Sequence, residues 1–359
     1  MVSEICYARV GLVGNPSDGF NGKTISFLIK NFHASVKIEE SEKVEIVKHD
    51  ILDSDVFDTF DHLISKYSVQ GYYGGLRLLQ ATCKAFGELC NASNLTSHKT
   101  KGFRMSYDTN IPRMVGLSGS SAIIVACFRC LMKYYTLTLD DLHIAFEQFP
   151  QLMLDIEVKE LGIAAGLQDR VVQTYGGLVY MDFSLPPPVM TISIRNQYSV
   201  YKDGTFAAGK YHPVDPSFLP NLYLTYNTSS GGESGKVHST VKERWLNNDP
   251  ILIEGMRTLG SYAAQARESL LHKDYTLLAN LINMNFDLRR QLYGDDVVGE
   301  KNIIIAELAR SKGFASKFSG SGGAILCMLP SGKWMEETEE ESFKDELKKH
   351  SFELIRLSV

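Results

Sequence analysis

Hydrophobic and polar positions change their spacing several times along the chain, and each change marks an element. Alternation with β-branched content predicts strands over YARVGLV (7–13), TISFLIKNF (24–32), VEIVKH (44–49) and KGFRMSYD (101–108). Apolar residues at every third or fourth position predict helices over VFDTFDHLISKY (56–67) and LRLLQATCKAFGEL (76–89), then at 120–135, 140–149 and 166–174. Two more strands follow, GGLVYMDF (176–183) and VMTISIR (189–195). Pro186, Pro187 and Pro188 stop regular structure, as does the stretch from Pro213 to Pro220, so a domain junction is expected between them. Beyond it the pattern predicts a strand at 222–227 and helices near 236–246, 251–271, 275–293 and 302–312. Strand-like KFS, AILCML and FELIRLSV then surround a helix near 341–350. Strands enclosing helices with an antiparallel ending predict an α+β sandwich. The acidic run EETEEE (336–341) fits the solvated first turn of the last helix, where the dipole favours Glu.

Composition narrows the class. The chain has 359 residues, 44% hydrophobic and 22% charged, with a net charge of −5, which suits a globular protein of two domains. Its 17 Tyr and 18 Phe exclude general disorder. Basic residues are scattered singly, which argues against a nucleic-acid surface. The mid-chain apolar run AIIVACF (122–128) falls far short of the roughly 18–20 residues that span a bilayer, so no membrane segment is expected. Glu4 and Arg9 make the amino end read as mature protein. Six cysteines without a compact framework read as reduced thiols in the cytoplasm. Cys127 and Cys130 form a C-x-x-C, but inside an apolar helix pattern and without a second ligand pair, so packing is their expected role.

The 29 glycines cluster, and the clusters carry the candidate chemistry. In PRMVGLSGSSAIIVACF (112–128), Gly116, Ser118, Gly119, Ser120 and Ser121 precede a buried helix. Such a loop offers free N–H groups, the positive end of a dipole and hydroxyls, the requirements for holding phosphate beside a metal. In KFSGSGGAILCML (317–329), Gly320, Gly322 and Gly323 sit between two strands, where bare backbone permits close approach. GLVGNPSDGFNGKT (11–24) places Asn15, Ser17, Asp18 and Lys23 in a polar loop after the first strand, suited to a polyhydroxylated ligand. Its Gly22-Lys23-Thr24 and the stretch GGESGKVHS (231–239) are both imperfect phosphate-loop motifs. In DIEVKELGIAAGLQDRVVQTYGG (155–177), Asp169 stands between Gln168 and Arg170, where a neighbouring cation keeps it ionised.

Taken in order, ARVGLVGNPSDGFNGKT, PRMVGLSGSSA and KFSGSGGAILCM resemble the three motifs of the GHMP superfamily of sugar and metabolite kinases. The resemblance implies a two-domain fold. A ribosomal S5 domain 2-like N-terminal domain would span 1–190 and a ferredoxin-like α/β sandwich 191–359, with the active site in their cleft. It implies that ATP's phosphates lie on Gly116, Leu117, Ser118, Gly119, Ser120, Ser121 and Ala122, supported by Gly320, Gly322 and Gly323. It makes Asp169 the catalytic aspartate that accepts or orients the sugar hydroxyl and assigns Mg²⁺ to Ser121 and Glu157, with Glu160 as rival. Asn15, Ser17, Asp18 and Lys23 would face the acceptor. Galactokinases normally read Gly-Glu-His-x-Asp where this chain has Gly14-Asn15-Pro16-Ser17-Asp18, which points away from galactose. GNPSDGFNGKTIS, KELGIAAGLQDRVVQTYGGLVYMDF and SGKVHSTVKERW are similar to superfamily members that phosphorylate the anomeric hydroxyl of D-glucuronate. A uronate also needs a cation for its carboxylate; Lys23 is the first expectation, followed by Arg104, Arg113, Lys236 and Arg244.

Overall fold

The computed structural model describes residues 1–53, 74–96, 99, 101–184, 209–228 and 237–359. The helix expected at 56–67 and the strand expected at 189–195 lie outside them. The first sheet is built on β1 (Val2–Val13) and the 19-residue β2 (Lys23–Ser41), which run antiparallel with Val2 opposite Ile38 and Val13 opposite Ile25. β2 divides its other edge. Ala34–Ser41 pairs with β4 (Gly102–Thr109), and Lys23–Phe27 pairs with β5 (Leu178–Asp182). β3 (Val44–Ile46) joins β4 in parallel and β6 (Lys210–Val214) borders β5. The first sheet therefore continues to Val214, past the boundary expected at 190. The chain enters the second sheet at Tyr223, so the sheets part between Val214 and Tyr223, a stretch that includes Pro216 and Pro220.

Helices α1 (Gly75–Ala92) and α2 (Gly119–Tyr135) cover the first sheet, with Phe86 and Phe128 edge to face at 5.3 Å. α3 (Phe149–Asp155) runs into a wide turn at Ile156–Glu160, and α4 (Leu167–Tyr175) follows. The helix expected at 140–149 is absent. Thr138 donates from its N–H and hydroxyl to Asp141 at 2.8 and 2.7 Å, His143 takes a φ of +56°, and the helix starts only at Phe149 with Pro150 in its first turn.

In the second sheet β7 (Tyr223–Asn227), β8 (Ala315–Phe318), β9 (Ala324–Met328) and β10 (Phe352–Arg356) pair antiparallel in the order β10-β7-β9-β8. Helices α5 (Val237–Leu246), α6 (Pro250–Leu271), α7 (Tyr275–Tyr293), α8 (Asp295–Val298), α9 (Glu300–Ser311) and α10 (Glu337–Lys348) accompany it. Asp249 and Asp274 cap α6 and α7 through their carboxylates, each cap contributing about 1 kcal/mol. One apolar cluster runs from β1, β2 and α2 across to β7, α6 and α7. Because β1 is flanked by α2 and α4 as well as α6 and α7, its last six residues are all buried, which explains the continuous apolar run there. Cys127 and Cys130 lie in the core, as the helix pattern predicts, and all six cysteines are free. Among the described residues no helix is long and apolar enough to cross a membrane.

The three glycine clusters meet where this shared core reaches the surface. Gly11 donates to Ser319 O at 2.9 Å, and a Cβ on Gly11 would lie 2.5 Å from that oxygen. A Cβ on Gly320 would lie 2.3 Å from Gly116 O, and one on Gly323 2.9 Å from Val115 Cα. By contrast, the nearest atom to a Cβ on Gly119 is Ile111 Cγ2 at 3.5 Å, an ordinary contact. Gly320→Ala should therefore lower the free energy of unfolding by about 1–3 kcal/mol in urea titration. Gly119→Ala should stay within about 0.5 kcal/mol of the parent. Equal effects of the two would show that the hairpin does not pack as described.

Candidate active site

The phosphate-loop candidate begins at Gly116, with φ +71°, and passes through Ser118 in the left-handed region, φ +66°. α2 then opens. Its first intrahelical bond is Ala122 N to Ser118 O at 3.1 Å, so the N–H groups of Gly119, Ser120 and Ser121 precede the ladder at the positive end of a 17-residue helix. That is an anion site by construction. The Ser121 hydroxyl is buried and donates to Ser118 O at 3.1 Å, while Gln173 Nε2 reaches the same oxygen at 3.3 Å. Leu117 is buried beneath the loop, and its carbonyl accepts from Arg9 N at 3.2 Å.

Arg9, carried into the interior by β1, joins the separate pieces. Its Nε donates to Asp169 Oδ1 at 2.7 Å, and a second nitrogen pairs with the same carboxylate. NH1 donates to Gly116 O at 3.2 Å and to Ser319 O at 2.9 Å. Asp169 lies in the first turn of α4, with Arg170 NH1 3.3 Å from its other oxygen. Burial pushes its carboxyl up, but Arg9 and Arg170 outweigh burial and hold it below the ordinary value. Its side chain keeps 19% exposure, so an ionised, oriented carboxylate faces outward. Asp18, partly buried in the turn Ser17–Phe20, behaves oppositely: burial and the nearby Asp169 push it up to about 6, against Arg9 and Arg289.

Some expected residues serve the fold instead. Asn15 is buried; Lys317 Nζ donates to its Oδ1 at 2.6 Å, and its Nδ2 reaches Ser319 O at 3.4 Å. Ser17 is also buried and staples its own loop, donating to Lys23 O at 2.8 Å and accepting from Lys23 N at 3.1 Å. Neither side chain presents itself to an acceptor. Lys23 pairs with Asp182 at 3.1 Å; burial alone would lower its pKa, but Asp182 and Tyr180 raise it. Glu157 is buried in an ion pair with Arg170, whereas Glu160 pairs with Lys84 at 2.9 Å. Among the described residues no group of three or more His, Cys, Asp and Glu could enclose a metal.

Three cations at the site went unnoticed in the sequence. Arg9 left a signal, a lone charge inside an apolar strand. Lys317 heads the glycine hairpin and donates to Gly11 O, Asn15 Oδ1 and Phe318 O at 2.9, 2.6 and 2.6 Å. Burial, then Arg289 and Arg9, drive its ammonium well below the ordinary value. Arg289 stands in an otherwise ordinary amphipathic helix, α7, with no signal of its own.

Residues 77–177 match the family model described as GHMP kinases N terminal domain, and residues 266–351 match GHMP kinases C terminal. The chain is 46% identical over 327 residues to Glucuronokinase 1 of Arabidopsis thaliana, covering 91% of this chain and 84% of that protein. The same figures hold for Probable glucuronokinase 2 of that plant. The fold is similar to a crystal structure of Methanococcus jannaschii mevalonate kinase, with a TM-score of 0.65 over 100% of this chain and 98% of that one at 16% identity.

Asp18 yields a pH prediction. Its folded value, about 6, lies above the ordinary 3.8, so between those values the folded chain binds more protons than the unfolded one. Its contribution is fully present below the ordinary value and is lost as pH rises through about 6. Asp18→Asn carries no such loss. Its stability relative to the parent should rise by on the order of 1–3 kcal/mol between pH 4 and pH 7 in urea titrations. A constant difference would contradict the raised value.

Proposed function

Since the chain belongs to the GHMP kinase family, we propose that it transfers the γ-phosphoryl group of ATP to the anomeric hydroxyl of D-glucuronate, giving glucuronate 1-phosphate for salvage towards UDP-glucuronate. It is an ATP-dependent sugar kinase. One observation carries phosphoryl transfer in this chain: Arg9 links the ionised Asp169 to the loop that opens α2. The choice of glucuronate is supported by the two plant relatives named for it.

The N–H groups from Leu117 to Ser121 receive the β- and γ-phosphates, with the helix dipole behind them. Asp169 receives the acceptor hydroxyl and orients it towards the phosphorus. Its lowered pKa makes it a weak base, which suits a loose transition state in which the hydroxyl keeps its proton until late. The proton then passes to Asp169. Asp18, on the substrate loop, bonds the sugar's other hydroxyls. Mg²⁺ has two candidate oxygens here, the hydroxyl of Ser121 and the carboxylate of Glu157, the latter engaged with Arg170. The ion takes one or two protein oxygens and completes its shell with phosphate and water. Ser121 and Glu157 would hold it, and when bound it would neutralise phosphate charge. The two family matches support one domain for each sheet, with the site between them. Six free cysteines support residence in the reducing cytoplasm.

With coupled ADP detection, D-glucuronate should be turned over and galactose should not, and Asp169→Asn should lower kcat by about 10²–10⁴-fold while leaving the KM for ATP nearly unchanged. Absence of glucuronate turnover, or a variant within threefold of the parent, would overturn the assignment.

A further inference from the structure

A uronate differs from a neutral sugar by one carboxylate, which a buried site must meet with a cation or convergent N–H groups. The cations favoured by sequence position are engaged elsewhere or lie apart. Lys23 pairs with Asp182 at 3.1 Å, Arg104 with Glu45 at 3.1 Å, and Arg244 with Asp249 at 2.8 Å. Arg113 is exposed, and Lys236 lies outside the described residues.

Arg289 is in a different position. It is 3% exposed, and its guanidinium lies 4.5 Å over the Phe318 ring and 5.3 Å over Tyr293. NH1 donates to Gly320 O at 2.8 Å and NH2 to Ser321 O at 3.2 Å, both neutral carbonyls of the glycine hairpin. Among the described residues no carboxylate forms an ion pair with it, and its Nε has no hydrogen-bond partner. A buried guanidinium held only by neutral groups is costly, and an incoming anion offsets that cost. One turn earlier on α7, Asn285 accepts from Gly14 N at 2.6 Å and donates to Asn15 O at 3.1 Å, which sets this helix against the substrate loop that carries Asp18. Phe20 of the same loop packs on Trp245 at 5.2 Å, within an apolar group that includes Leu288 and Tyr293 and so brings α7 to this loop.

The geometry points to Arg289 as the specificity-determining residue that receives the acceptor's carboxylate, held against the hairpin carbonyls so that its remaining N–H donors meet that group. This rests on the reading of the acceptor as a uronate. Arg289 therefore sets which sugar enters, while Arg9 and Asp169 serve the transfer itself. The same guanidinium could receive a phosphate of ATP, and the experiment separates the two sources.

Binding of D-glucuronate and of its neutral amide, D-glucuronamide, is measured by calorimetry on the whole chain. Steady-state KM values for both acceptors and for ATP are measured alongside. Arg289→Gln should weaken glucuronate about 10²-fold and change glucuronamide less than threefold, with the KM for ATP unmoved. Arg289→Lys, which keeps a cation but loses the planar fork, should weaken glucuronate about tenfold, and it answers the question if the Gln variant does not fold. Equal loss of both acceptors, a selective rise in the KM for ATP, or unaltered glucuronate binding would overturn this inference alone. Wild-type protein that binds glucuronate no better than glucuronamide would overturn the uronate reading, and this inference with it.

Discussion

Arg9 enters the interior from the middle of β1 with 5% of its surface exposed, and its planar head meets Asp169, the carbonyl of Gly116 and the carbonyl of Ser319. A guanidinium so buried is tolerable only when its charge is paired and its donors are satisfied. Here the pairing joins β1 to groups from three distant parts of the chain. Lysine could not replace it, because an ammonium lacks the flat fork that reaches a carboxylate and two carbonyls at once. The substrate strand, phosphate loop, catalytic helix and glycine hairpin are thus tied through one side chain, and their spacing follows from its shape. The glycines are the steric counterpart of this arrangement, since Gly11, Gly116 and Gly320 let backbones approach where any Cβ would intrude.

The electrostatics follow from the same cluster. Arg9, Arg289 and Lys317 are all buried, and burial, then the two arginines, depresses the Lys317 ammonium; among the described residues the carboxyls that act on this cluster are Asp18 and Asp169. The environment displaces those acids in opposite directions, Asp169 down through its direct pairing with Arg9 and Asp18 up through burial and the charge of Asp169. Paired acids driven apart in this way take different tasks. An ionised Asp169 orients the attacking hydroxyl, and a more readily protonated Asp18 bonds the rest of the sugar. The cationic excess left over suits two anionic substrates.

Much of this was legible in the sequence because it is local. Glycine and serine spacing marks the loop at 116–121 and the hairpin at 320–323, and apolar periodicity marks α1, α2, α6 and α7 to within a few residues. What was not legible depends on contacts between distant positions. Arg289 looks like any polar residue of an amphipathic helix until the fold lays it under Gly320 and Ser321. Asn15 and Ser17 are the converse: polar loop residues that look available until Lys317 and the backbone of Lys23 take their side chains. The helix expected at 140–149 was lost to a local competitor, the Thr138–Asp141 turn, which periodicity does not register.

If Arg9 and Asp169 act as one unit, removing either should cost what removing both costs. The direct measurement is a double-mutant cycle on kcat/KM for D-glucuronate with Arg9→Met, Asp169→Asn and the double variant. The predicted result is a double variant no more than about threefold below the worse single one, a strongly non-additive cycle of the kind expected for residues that work as a unit. Multiplication of the two single losses would contradict the central role given to this pair.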